Sequence, residues 1–412
     1  MKIINAYKYL FSLFTLSLVL SCGQGVEMTK PERWSEEKIN KWYGDQPWLV
    51  GTNFITSSSI NQLEFWQEDT FDPALIEKEL KLSASLGMNA HRVFLHDLLW
   101  YQDSLGFMDR IDHFLSIGER YGIKTMLVFF DDVWHPKPQL GKQPEPIPHI
   151  HNSGWIQSPG VEILTDTLMH HSLAPYVKGI VNMFKYDSRI LCWDLYNEPG
   201  QYNGAPRVSK QRVIEIYKNI GITLTENELP KYYRHAMEPE NPEKRMFTLA
   251  LIKKVFGWVR EINPSQPITA GIYETSIPDW GDFENLPELE QFIINNSDII
   301  SYHDYGNKKG GEQRINELKK YNRPLFCTEY IAREYNNTFE ELLPLFKQNK
   351  IGAFNWGFVS GKTNTIYPWK SWDSTYTGPP KKWHHDLFYP NGKPFSVDEI
   401  EFIKNTISLA NE

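Results

Sequence analysis

Cysteine is nearly absent: three in 412 residues, at Cys22, Cys192 and Cys327. So few exclude a disulfide framework and any metal site built from thiolates. Cys192 and Cys327 each lie in an apolar, strand-like run, two residues before Asp194 and Glu329, and read as small buried thiols. Basic clusters are missing too. No stretch of five or more Lys or Arg occurs, the formal net charge is −8 and the pI is near 5.9, so no nucleic-acid partner is expected.

Several motifs of other chemistries are likewise absent. There is no HExxH and no G-x-S-x-G elbow. GFVSGKT, from Gly357 to Thr363, has the wrong spacing for a phosphate loop, with three residues rather than four between Gly357 and Gly361. His149 and His151, with His135 nearby, read as solvated loop histidines, so no metal and no organic cofactor is expected. The apolar run Tyr9–Leu20 is too short to span a membrane and suits an export signal, with Lys2 and Lys8 before it. Val19-Leu20-Ser21-Cys22 resembles a bacterial lipobox, which implies removal of residues 1–22 as a lipoprotein signal peptide and lipid on Cys22. An ordinary signal with a nearby cleavage site is the alternative. Either way the mature protein is expected outside the cytoplasm, periplasmic or at the cell surface, and the lipid would anchor it to a membrane.

What is abundant is apolar and aromatic: 41% hydrophobic and 14% aromatic residues, enough for a large buried core. Residues 23–45 read as a polar tether with a short helix around Ser35–Trp42, and residues 46–412 as the domain. Within it, short apolar runs alternate with amphipathic segments. The candidate strands are 48–54, 89–95, 124–130, 190–196, 267–273, 298–305, 324–330 and 351–358. The candidate helices are 73–86, 108–121, 173–186, 245–262, 283–295, 312–321, 338–349 and 397–409, with Asp72 and Ser396 placed as N-caps. Eight strand–helix repeats predict an α/β fold, a (β/α)8 TIM barrel, since such a sheet closes on itself and leaves no edge. An open doubly wound sheet is the competing arrangement. Long loops follow strand three (131–171) and strand four (200–244), on the face where such barrels build their sites.

The stretch ILCWDLYNEPG, Ile190–Gly200, ends the fourth strand on Asn197 and Glu198. Glu329 ends the seventh, PLFCTEY, in the same way. In a closed barrel both strand ends open on one cleft, and paired carboxylates there are the equipment of glycoside hydrolysis.

With those two motifs the sequence resembles glycoside hydrolase clan A, close to family 5 and to the cellulase-like group labelled 1,4-beta-xylanase. The resemblance covers roughly residues 46–410. It implies that Glu198 is the acid/base and Glu329 the nucleophile. It also implies supporting roles for Arg92 beside the nucleophile, Asn197 on the sugar 2-hydroxyl, His303 and Tyr305 in the His-x-Tyr of SYHDY, and Trp356 as the floor under the sugar. Asp131, Asn152, Trp155 and Lys362 are candidate substrate contacts from the loops, because aromatics, amides and charged groups suit sugar rings. The expected activity is retaining hydrolysis of a β-linked oligo- or polysaccharide, xylan-, glucan- or mannan-like. A carbohydrate-binding lipoprotein on the same scaffold, without catalysis, is the alternative.

Overall fold

The computed structural model describes residues 32–202, 209–225, 227–229 and 241–408. The expected signal peptide, Cys22 and most of the tether lie outside these residues, as does part of the loop after strand four.

Nine short strands run parallel in one sheet: β1 (Val50–Asn53), β2 (Ala90–Phe94), β3 (Lys124–Asp131), β4 (Ile190–Asn197), β5 (Ile268–Thr269), β6 (Gly271–Ile272), β7 (Ile300–His303), β8 (Leu325–Glu329) and β9 (Gly352–Asn355). Their order is β5-β4-β3-β2-β1-β9-β8-β7-β6. The two ends of that row, β5 and β6, are separated only by Ala270, whose N–H turns aside to Ser297 Oγ at 3.3 Å. They are halves of one strand, so the row closes into an eight-stranded (β/α)8 TIM barrel, and the open sheet is excluded.

The strands are buried on both faces, which is why they read as apolar runs without alternation. Outward side chains such as Val93, Leu127, Phe129 and Leu195 share a core with Ile76, Phe114, Val177, Ile180, Leu251 and Val255 of the surrounding helices. Asp72 caps the helix Pro73–Ser85 by accepting from Leu75 N at 3.0 Å, and Ser396 Oγ accepts from Glu399 N at 3.2 Å at the start of Val397–Ser408. The second helix is longer than its periodicity predicts. It runs Asp97–Arg120 with a break at Asp103, and its first turn is capped by His96, whose ring accepts from Leu98 N.

The short helix expected at Ser35–Trp42 is Glu36–Gly44, with Ser35 as its N-cap. It lies across the floor of the barrel, where Trp34, Ile39 and Tyr43 pack against Ala90, Met126, Leu191, Cys192, Phe326 and Phe354. Cys192 and Cys327 are buried free thiols. At the opposite end, the loop after β3 is pinned by bridges between Asp131 and Ser158 and between His135 and Ile156.

Candidate active site

Arg92, on β2, is fully buried at the centre of the barrel mouth. Its guanidinium donates to four side chains: Nε to Asp194 Oδ2 (2.8 Å), Nη1 to Asn53 Oδ1 (2.9 Å) and to Glu329 Oε1 (3.0 Å), and Nη2 to Asn197 Oδ1 (2.8 Å). Burial opposes its charge, but Asp194 and Glu329 more than offset that and hold its pKa above the ordinary value. Three other strands, β1, β4 and β8, are thus tied to the planar cation carried by β2.

Glu329 is the last residue of β8 and is buried. Besides Arg92 it accepts a hydrogen bond from Tyr305 OH at Oε2, 2.8 Å. Glu198 stands one residue past β4 with φ of 41°, a left-handed conformation that swings its carboxyl over the mouth. Pro199 and Gly200 complete the turn. Gly200, at φ 79°, has Arg245 Cγ 2.8 Å from where a Cβ would stand, so the chain can pass only as glycine. Glu198 is 15% exposed, and its Oε1 lies 2.9 Å from His303 Nδ1.

His303 sits between the two carboxyls, its Nδ1 also 3.5 Å from Glu329 Oε2. Burial drives its pKa down to about 4, so the ring is neutral near pH 7. Nε2 has no hydrogen-bond partner, so the satisfied tautomer carries its proton on Nδ1 and donates it to a carboxyl.

Burial pushes both carboxyls up to about 7. Their surroundings then separate them. On Glu329, His303, Arg92 and Tyr305 pull the pKa down against the opposing charge of Glu198, whereas on Glu198 Arg92 alone pulls it down against the charge of Glu274. The pair titrates as a unit.

One oxygen of Glu198, one of Glu329 and a ring nitrogen of His303 lie within 4.8 Å of one another. Among the described residues this is the one convergence of His, Cys, Asp and Glu able to hold a metal ion. The Arg92 guanidinium on Glu329 already supplies the positive charge there, and the cluster reads as a proton-handling pair. His135, His149 and His151 do not converge; His149 and His151 each bond a backbone carbonyl, of Tyr376 and Tyr367.

The pair opens on a cleft of about 570 Å³. Asn152, Trp155, Asn197, Tyr305 and Trp356, all expected from the sequence, line it. Trp155 and Trp356 meet edge to face at 5.5 Å.

Two expected contacts are not there. Asp131 is buried behind the cleft, where Oδ1 accepts from Asn197 Nδ2 (2.9 Å) and Val133 N, and Oδ2 accepts from Trp155 Nε1 (2.6 Å). Its bonds are all internal, so it positions Asn197 and Trp155 rather than touching substrate. Lys362 is drawn away by Glu64, its Nζ 2.7 Å from Oε1, and is absent from the cleft wall.

Other lining residues were not read from the sequence. Val133 and His385 come from loops, and Gln201, Tyr273, Glu274 and Thr275 follow β4 and β6. Asp194, which with Asn53 cradles Arg92, was also missed. Asp194 left a signal, since a charge inside an apolar strand needs a buried partner.

No protein-family model matches the sequence, and no curated protein sequence does either. Solved structures share its fold. A β-mannanase from the blue mussel Mytilus edulis is similar with a TM-score of 0.52 at 12% identity, covering 88% of this chain and 92% of its own. GH5_18 of Streptomyces cattleya, in complex with GlcNAc, gives 0.51 at 11% identity over 88% and 80%. An exo-β-1,4-mannosidase from Opitutaceae bacterium strain TAV5 gives 0.53 at 16% identity, over 88% of this chain and 59% of that longer one. This chain has the (β/α)8 barrel fold of these glycoside hydrolases.

Proposed function

We propose that the cleft hydrolyses β-glycosidic bonds with retention of configuration, through Glu198 as acid/base and Glu329 as nucleophile. The observation that carries this reading is the approach of the two carboxyls, oxygen to oxygen within 4.8 Å, with the cation and the phenol bonded to Glu329 alone. That separation suits direct attack. Inverting enzymes hold their carboxyls about 6.5–9.5 Å apart to admit a water.

In the first step Glu329, kept ionised by Arg92 and Tyr305, attacks the anomeric carbon while Glu198 gives its proton to the departing glycosidic oxygen. In the second, Glu198 takes a proton from water, which displaces Glu329 and regenerates both groups. Asn197 has one amide proton left after Asp131 and Arg92 are satisfied, and that proton is placed for the sugar 2-hydroxyl. Trp356 forms the floor beneath the reacting ring.

The substrate is a β-glycan or an oligosaccharide derived from one. The mussel and Opitutaceae neighbours are a β-mannanase and a β-1,4-mannosidase by name, so β-1,4-mannan heads the candidates, with xylan and glucan beside it.

Reducing-sugar release from mannan, xylan, glucan and aryl β-glycosides tests the proposal, run beside Glu329→Gln. Turnover on at least one substrate, lowered by roughly 10³-fold or more in the variant, is expected. Turnover that survives the substitution would remove Glu329 from the mechanism, and glycan binding without turnover would favour the binding-protein alternative.

A further inference from the structure

We propose that Glu274 sets the leaving-group specificity of the cleft, admitting an uncharged sugar unit and turning away an anionic one. The inference rests on the glycosidase reading, because Glu198 hands its proton to the leaving oxygen and so marks the side on which the departing sugar lies. Glu274 stands two residues past β6 and lines the same cleft as Glu198, together with Gln201 and Thr275. Its carboxylate is half-buried, and its one hydrogen bond among the described residues is from Ser276 N to Oε1, at 3.1 Å. The rest of the carboxylate is open to accept hydroxyls.

Among the described residues no Lys or Arg forms an ion pair with it. Arg245, the cation that feels Glu274, gives Nη2 to both oxygens of Glu290 at 2.7 Å. Tyr273, the preceding residue, is uncharged. Among the described residues the cleft wall holds three carboxylates, Glu198, Glu274 and Glu329, and no Lys or Arg. The charge of Glu274 reaches Glu198, whose carboxyl it raises while Arg92 lowers it, so it is felt where the leaving oxygen sits. The tryptophans of the same lining, Trp134, Trp155, Trp356 and Trp369, offer faces and edges with no charge. A neutral sugar gains hydrogen bonds from Glu274, while a carboxylate or sulfate on the leaving unit meets a like charge.

The test uses matched leaving groups. Mannotetraose and cellotetraose are each prepared with the reducing end reduced to the alditol or oxidised to the aldonate, so that both members are open-chain and differ in charge. In the native protein kcat/KM for the alditol is expected to exceed that for the aldonate by about fivefold at low salt. In Glu274→Gln that ratio is expected to fall to near one, and about 0.5 M sodium chloride should shrink it in the native protein. The alkaline limb of the pH profile should also move to lower pH in the variant, as Glu198 loses a repelling neighbour. A ratio of rates is insensitive to any general loss of activity in the variant. A native ratio near one, or one unchanged by Glu274→Gln, overturns the proposal. If neither sugar is turned over, calorimetric binding of the same four ligands gives the same ratio. Silence in turnover would then count against the Glu198–Glu329 mechanism, and the binding ratio would still decide for or against Glu274.

Discussion

Glu329 is buried and Glu198 nearly so, and what separates them is the company each keeps. Arg92 and Tyr305 bond Glu329, and His303 bonds Glu198. The sign of the pH dependence follows from the roles. The proposed mechanism needs Glu198 protonated and Glu329 ionised, so kcat/KM is expected to fall as pH rises past the second ionisation of the pair and again as pH drops below the first. Burial sets Glu198 near 7, so the alkaline limb on an aryl β-glycoside is expected at about that pH or above. In Glu198→Gln the limb should vanish for substrates whose leaving groups need no proton. A profile that keeps the same alkaline limb in that variant would show that another group carries it.

At the scale of elements, the barrel was legible because parallel strands covered on both faces leave an unbroken apolar signature, as in KTMLVFF and PLFCTEY. The two candidate carboxyls at strand ends, Glu198 after β4 and Glu329 closing β8, stood out for the same reason, whereas Arg92 in mid-strand, Asn197 and His303 were expected from the family resemblance. For the remaining contacts the outcome was mixed, since Asn152 and Trp155 line the cleft and Asp131 and Lys362 do not. Asp131 and Lys362 carry suitable chemistry, but only the packing shows that Trp155 and Asn197 claim one and Glu64 the other. Glu274 has no motif around it and becomes visible only when β6 places it beside Glu198. The floor helix Glu36–Gly44 was expected around Ser35–Trp42, but nothing in its sequence says that it closes the barrel. Ile39 there is fully buried, so Ile39→Ala should cost about 2–4 kcal/mol in urea unfolding. It lies at the end of the barrel away from the cleft, so KM should not move. A loss below about 0.5 kcal/mol would mean the helix is not part of the folded core.

For the molecule as a whole, the buried histidines tie stability to pH. His384 is fully buried with neither ring nitrogen hydrogen-bonded, packed against His385 at 4.2 Å and Trp369 at 4.7 Å between centroids. Burial lowers its pKa to about 2, against about 6.5 in the unfolded chain. Between those values the unfolded chain binds the extra proton, so this residue destabilises the fold progressively as pH falls below about 6.5 and costs nothing at pH 8. A non-titrating His384→Phe therefore should compare better with the native protein at pH 5 than at pH 8, by about 2 kcal/mol in unfolding free energy. The difference between the two pH values cancels the packing cost of the new ring. Equal effects at both would mean the native ring already takes up a proton.

The closeness of Glu198 and Glu329 is the feature on which the mechanism turns, and the configuration of the first-formed sugar reads it directly. Proton NMR of a β-glycoside digest, recorded before mutarotation, should show the β-anomer appearing first. First appearance of the α-anomer would require a water between the carboxyls and would contradict double displacement through Glu329.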